Sequence, residues 1–107
     1  MNYDLKTEDI DLILYTLKRP TIFSIQKVED FYLFFKGYIT AKDNSIVSDF
    51  LDNFHQFVKD NYAEKSIKNY SCERIIRLHS ANDFNSLELL SLWISEFIRQ
   101  SGFPNKK

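Results

Sequence analysis

The sequence predicts an all-α protein, a single compact domain of about five helices over residues 1–107 with its core between about residues 7 and 101. Three observations lead there. Apolar residues recur at three- and four-residue intervals through most of the chain, the spacing of a stripe on one helical face. Glycine and proline, which break regular elements, number only two each among 107 residues. Ten Phe, six Tyr and one Trp supply bulky material for a core. A chain of this length buries roughly 65% of the surface that its unfolded form exposes, which supports one core without metal or disulfide.

The first helix is expected to start after Thr7, whose side chain can cap a free amide, with Glu8 and Asp9 suiting the positive end of the helix dipole. Ile10, Ile13, Leu14 and Leu17 form its stripe, and Pro20 ends it by pushing the preceding residue from helical angles. In the connector Thr21-Ile22-Phe23-Ser24 the two apolar residues are expected to turn inward. A second helix, Ile25 to Ala41, presents Val28, Phe31, Tyr32, Phe35, Tyr38 and Ile39 and reads as the core helix. Gly37 inside it costs about 1 kcal/mol relative to Ala, which suggests close approach by another backbone or a functional glycine.

Lys42-Asp43-Asn44 reads as a turn, and Asn44 or Ser45 can cap a third helix running to about Tyr62. Its apolar side is Val47, Phe50, Leu51, Phe54, Phe57 and Val58. The polar side is Ser48, Asp49, Asp52, Gln56, Lys59 and Asp60. Residues 63–70 lose the pattern and read as the longest loop. A short helix, Ser71 to Leu78, would bury Ile75, Ile76 and Leu78, and its β-branched pair leaves a strand over residues 71–79 as an open alternative. The last helix opens on Asn85 and Glu88, a pair spaced as a capping box, and stops at Gly102 and Pro104. Between them Leu87, Leu90, Trp93, Ile94, Phe97 and Ile98 make its apolar face. Residues 102–107 are expected to fray.

Composition narrows function as well as fold. The formal charge is −1, with 14 basic and 15 acidic residues, so no overall field gathers nucleic acid by counterion release. Charge is uneven: residues 1–11 hold Asp4, Glu8, Asp9 and Asp11 against one base, whereas 65–77 hold Lys65, Lys68, Arg74 and Arg77 against Glu73. Such runs read as solvated faces. The polar, acidic segment 1–9 lacks the pattern of an export signal, and the lone Cys72 has no partner for an intramolecular disulfide, which together predict a cytoplasmic protein. No apolar run approaches the ~20 residues of a membrane span.

Few residue sets suggest chemistry. His55 and His79 stand far apart, without the short ligand spacings of a zinc site, and read as a helix-side histidine and a helix-terminal cation. Cys72 would need a histidine folded against it, or Arg74 lowering its pKa, to act as a nucleophile; it reads instead as a small buried residue. Asp49 and Asp52 share a helical face as acid/base pairs do, yet on an outer face they read as solvated. Trp93 reads as core. The sequence therefore predicts no enzyme, no catalytic residue, no metal and no cofactor.

Arg19-Pro20-Thr21-Ile22-Phe23, then Phe34-Phe35-Lys36-Gly37-Tyr38 and Phe54-His55-Gln56-Phe57-Val58, resemble a group of small bacterial immunity proteins. In that group an Arg-Pro-x-x-aromatic step leads to a helix with Gly-Tyr and then to an aromatic-rich helix. Ser71-Cys72-Glu73-Arg74-Ile75-Ile76-Arg77, Asp83 and the Leu87-to-Phe97 helix resemble its Ser-Trp-x-x-Ile-Ile segment, acidic turn and terminal helix. The likeness spans most of residues 17–100; Thr21 stands where a glycine is common and Cys72 where a Trp is usual. Membership implies a protein encoded beside a toxin of a polymorphic or contact-dependent growth inhibition system, which binds its cognate toxin domain and blocks it. Many such toxins are nucleases with basic clefts, so carboxylates are the expected complement. Asp49, Asp52, Gln56 and Asp60 align along one face of the third helix, and Glu64 is expected to extend that face toward the toxin domain. A small helical DNA-binding transcriptional regulator is the alternative, opposed by the near-neutral charge and the absence of a basic recognition helix after a tight turn. A small enzyme built on Cys72 and the histidines is a third class. Neither nucleic acid nor membrane is an expected partner, and the pattern leaves oligomeric state open.

Overall fold

Apolar stripes at helical spacing must each find another stripe to cover them, and in this chain five helices do so around one cluster. The computed structural model describes residues 7–42 and 45–101. Among them run α1 (Thr7–Lys18), α2 (Val28–Lys42), α3 (Ser45–Tyr62), α4 (Cys72–Leu78) and α5 (Asp83–Ser101), with 3-10 turns at Pro20–Phe23 and Lys65–Ile67 and no strand. Cys72–Leu78 is thus helical, with Ser71 and His79 as its caps, and the strand alternative is set aside. The radius of gyration, 13.4 Å, is that of a closely packed chain of this length.

Phe31 and Phe35 of α2 and Phe50 and Phe54 of α3 are fully buried, as are Ile75 and Ile76 of α4 and Leu90 and Ile94 of α5. Each such side chain contributes about 1.5–3 kcal/mol by leaving water. Helix α5 is the common wall, packing against α1, α2, α3 and α4. Phe97 meets the rings of Phe50, Phe54 and Phe57 at centroid distances of 5.3, 5.8 and 5.4 Å. One turn earlier Trp93 stacks on Tyr62 from the end of α3, 3.9 Å apart and parallel within 1°. Phe23 ties α1 to α2, with Tyr15 on one side at 5.8 Å and Phe34 on the other at 5.3 Å.

Several local expectations are corrected. Leu14 is 38% exposed, because the inner face of α1 is set by Ile13 and the buried Thr16, whose hydroxyl donates 2.7 Å to the Ile13 carbonyl. Ile22 is also exposed, since the 3-10 turn that Pro20 opens rotates Phe23 inward and Ile22 outward. Ser24 then takes the left-handed conformation (φ 59°), and α2 starts at Val28, three residues later than the periodicity implies. Ile25 is buried, but outside a helix. Leu78, in the last turn of α4, is 55% exposed.

The capping of α5 moves as well. Asn82 is the cap: its Oδ1 accepts from the Asn85 amide at 2.8 Å, so the helix opens at Asp83 rather than after Asn85. Asn85 instead reaches back to accept from the Ala81 amide and gives its own Nδ2 to Glu88. Three other expectations fall outside the described residues and side chains: the Thr7 cap with Ile10, the 43–44 turn with its Asn44 or Ser45 cap, and the Gly102–Pro104 stop with the 102–107 tail.

Besides their apolar contacts, one hydroxyl joins α2 to α5. Ser86, fully buried, donates to the Asp83 carbonyl at 2.6 Å and accepts from the Val28 amide at 3.2 Å, so it caps α2 from another helix. Beside it Arg77 of α4 grips Glu29 with two nitrogens (2.7 and 3.3 Å) and Asp83 with the third (2.9 Å). Arg77 is therefore a tie among three helices, not part of a solvated face. With its partners half in water the tie is worth up to about 1 kcal/mol.

Two stability predictions follow from these contacts. Ser86→Ala leaves the Val28 amide without an acceptor and should lower the unfolding free energy by about 1–3 kcal/mol in denaturant titration. Gly37 is exposed, and a Cβ placed there would meet nothing within 4 Å, which overturns the expectation of a close backbone. Gly37→Ala should accordingly raise stability by about 0.8–1 kcal/mol, the helical advantage of alanine.

Candidate functional site

The carboxylates predicted to face a partner do share a surface. Asp49, Asp52, Gln56 and Asp60 are all exposed on α3, and at 3.6 residues per turn they lie within an arc of about 80°. Gln56 donates to Asp60 across one turn at 2.8 Å, which holds the two side chains together. Glu64 is exposed but is not the next rung. α3 ends at Tyr62, and Glu64 stands in extended conformation at the start of the Lys65–Ile67 turn. The helical ridge therefore comprises the four positions from 49 to 60.

Asp52 also belongs to something the periodicity did not reveal. A cleft of about 390 Å³ opens between α2, α3 and the start of α4, with Asp52 on one wall and Glu73 on another. Ile39 and Leu51 give it apolar sides, Lys36 lines the α2 wall, and Tyr32 and the buried Cys72 line it as well. Asp52 and Glu73 are 21 positions apart in sequence and on different helices, so no spacing rule links them.

Cys72 and the two histidines, the groups considered as nucleophile and metal ligands, are each held by a neighbour. The Tyr32 hydroxyl donates to the Cys72 sulfur at 3.1 Å. Burial pushes the Cys72 thiol up to about 12, and the Glu73 charge adds to the rise, while the tyrosine hydrogen bond opposes it. Tyr32 is raised well above its ordinary range, first by burial and then by the Cys72 and Glu73 charges. At neutral pH both groups carry their protons. Arg74 does not lower the thiol's pKa and lies instead over the Tyr70 ring at 4.4 Å.

The histidines are similarly occupied. His55 lines the cleft and its Nε2 lies 3.3 Å from the Tyr70 carbonyl, which can only accept, so that nitrogen carries a proton. His79 caps the end of α4, its Nδ1 donating to the Ile75 carbonyl at 3.0 Å and its ring set edge-on to Trp93 at 5.5 Å. The terminal placement read from the sequence is the observed one. Among the described residues no three His, Cys, Asp or Glu side chains group as metal ligands, and no helix is long and apolar enough to cross a membrane.

Comparison of the chain with protein-family profiles, curated proteins and solved structures finds no match. The site is defined by its own geometry. It comprises exposed carboxylates on a helical ridge, beside a cleft with apolar sides and neutral, hydrogen-bonded Tyr32 and Cys72.

The thiol has a measurable consequence at high pH. In the unfolded chain Cys72 loses its proton near its ordinary value of 9, whereas in the folded chain it keeps it to about 12. Between these values the folded state binds more protons, so stability is full below pH 9 and declines as pH rises toward 12. Denaturant titrations from pH 8 to 11 should show that decline, and Cys72→Ala should make it shallower, the Tyr32 contribution remaining.

Proposed function

We propose that this protein is an immunity protein, a stoichiometric inhibitor that binds a cognate bacterial toxin domain through the acidic face of α3. The observation that carries the reading is the contrast between two sets of side chains. Cys72, His55 and His79 are each committed to an internal hydrogen bond. Asp49, Asp52 and Asp60 stand exposed along one ridge of a helix whose other side is anchored in the core by Phe50 and Phe54. A rigid scaffold displaying charge loses little conformational entropy on docking, which favours affinity.

The sequence resemblance, which runs through most of residues 17–100, supports the same reading. A toxin with a basic substrate cleft, as in a nuclease, is the partner such a ridge suits. Carboxylates facing a basic cleft accelerate encounter and exclude wrong partners more than they add raw affinity. The ridge with its surroundings must supply about 800 Å² to a typical specific complex, and the span from Asp49 to Asp60, about three helical turns, lies in the middle of α3.

Co-expression with the protein encoded immediately upstream is the direct test. Rescue of growth and co-purification as a one-to-one pair are expected. Reversal of Asp49 and Asp52 to Lys should then weaken the pair about tenfold or more, chiefly through slower association, and should reduce its sensitivity to salt. An unchanged affinity would remove the α3 ridge from the interface. Absence of any pairing, together with salt-sensitive binding to duplex DNA, would favour the transcriptional regulator.

A further inference from the structure

The cleft beside the ridge has a composition that selects among occupants. Its polar rim divides into two kinds of group. The Thr40 hydroxyl already donates to the Lys36 carbonyl, the Ser71 hydroxyl accepts the Arg74 amide, and His55 is engaged with Tyr70. Asp52 on α3 and Glu73 on α4, by contrast, have no hydrogen bond or ion pair among the described residues. Lys36 on the α2 wall is likewise unpaired among them, so the charged groups facing the cleft are two carboxylates and one ammonium, a formal balance of −1.

Three classes of occupant can be weighed. An anion would meet two carboxylates and a single ammonium. A wholly apolar group would strip water from both carboxylates and return nothing, a penalty that grows with burial. A cation on an apolar stem suits the lining better: Lys36 opposes it, but Asp52 and Glu73 outnumber that ammonium, and Ile39 and Leu51 line the space for methylene groups. The cleft volume of about 390 Å³ has room for one long side chain. The field of Glu73 reaches into this space, since its charge is one of the causes that hold the protons on Cys72 and Tyr32.

We propose that the cleft between α2, α3 and α4 receives an arginine or lysine side chain of a protein partner, its aliphatic stem against Ile39 and Leu51 and its cationic head between Asp52 and Glu73. This rests on the reading of the α3 ridge as a docking face, because Asp52 belongs to both. It makes the interface a ridge plus a socket, with the socket supplying the desolvated contact that exposed ridge charges lack.

The test has two arms on the full-length protein. In the first, amide NMR follows titration with Nα-acetyl-arginine methylamide and, separately, with its uncharged counterpart Nα-acetyl-citrulline methylamide. Saturable shifts at Lys36, Asp52 and Glu73 with the arginine probe, at a Kd of the order of 10 mM, and no saturable response to the citrulline probe are expected for a single side chain lacking its partner scaffold. In the second, Asp52→Asn with Glu73→Gln is compared with wild type for the co-purified toxin pair. Both substitutions keep size and hydrogen-bonding capacity at the rim, and a thermal melt verifies the fold. The pair should weaken about tenfold or more, and the arginine response should be lost. Equal responses to the two probes, or no saturation by the arginine probe, would overturn the cationic socket while leaving the inhibitor reading intact. A charge-selective probe response with a toxin affinity that ignores the double substitution would overturn the protein side chain as occupant. Failure of the inhibitor reading shows separately, as absence of co-purification with wild type.

Discussion

The packing of α5 against the other four helices is the constraint on which the rest of the structure depends. Leu87, Leu90, Trp93, Ile94 and Phe97 spread around more than one side of this helix, so it cannot leave water by meeting a single neighbour. Covering it brings Phe50 and Phe54 of α3, the Ile75–Ile76 pair of α4 and the start of α2 to one place. Ser86 shows how tightly the arrangement is specified. A side chain inside the α5 face supplies the acceptor that the first amide of α2 lacks, a bond that favours this register of the two helices.

The cleft follows from the same arrangement. Helix α4 is seven residues long, about 10 Å, against 15 and 18 residues for α2 and α3. Its buried side reaches the core through Ile75 and Ile76, and Arg77 holds its far end to Glu29 and Asp83. At its near end Cys72 meets Tyr32 of α2, which brings Glu73 beside a space bounded on another side by Asp52. A helix too short to cover both of its neighbours leaves an opening at its end, and the charged side chains around that opening are the ones that can stay in water.

Physical chemistry also separates the groups that the fold has made inert from those it leaves free. Burial and a hydrogen bond keep Cys72 a thiol; backbone carbonyls engage one nitrogen of each histidine. Asp49, Asp52 and Asp60 stand exposed on α3, where carboxylates can meet a cationic surface. Such a division suits the proposed inhibitor, which acts through its exterior.

The sequence by itself determined the helical class, the approximate spans of the five helices and most of the core, because a 3.6-residue apolar period is a local property that survives in any helical arrangement. It also determined the α3 ridge, since Asp49, Asp52, Gln56 and Asp60 share one continuous element. What only the tertiary structure decided lies where the partner is distant in the chain or where a break shifts the phase. Leu14, Ile22 and Leu78 look like core by spacing but sit at helix edges or in a turn, where neighbouring helices do not reach. The start of α2 slipped because a left-handed Ser24 intervenes, and the cap of α5 moved to Asn82 because Asn85 serves the preceding loop. The cleft was invisible for the same reason: Tyr32, Asp52 and Glu73 come from three helices, and proximity between helices is set by packing, which no periodicity within one helix encodes.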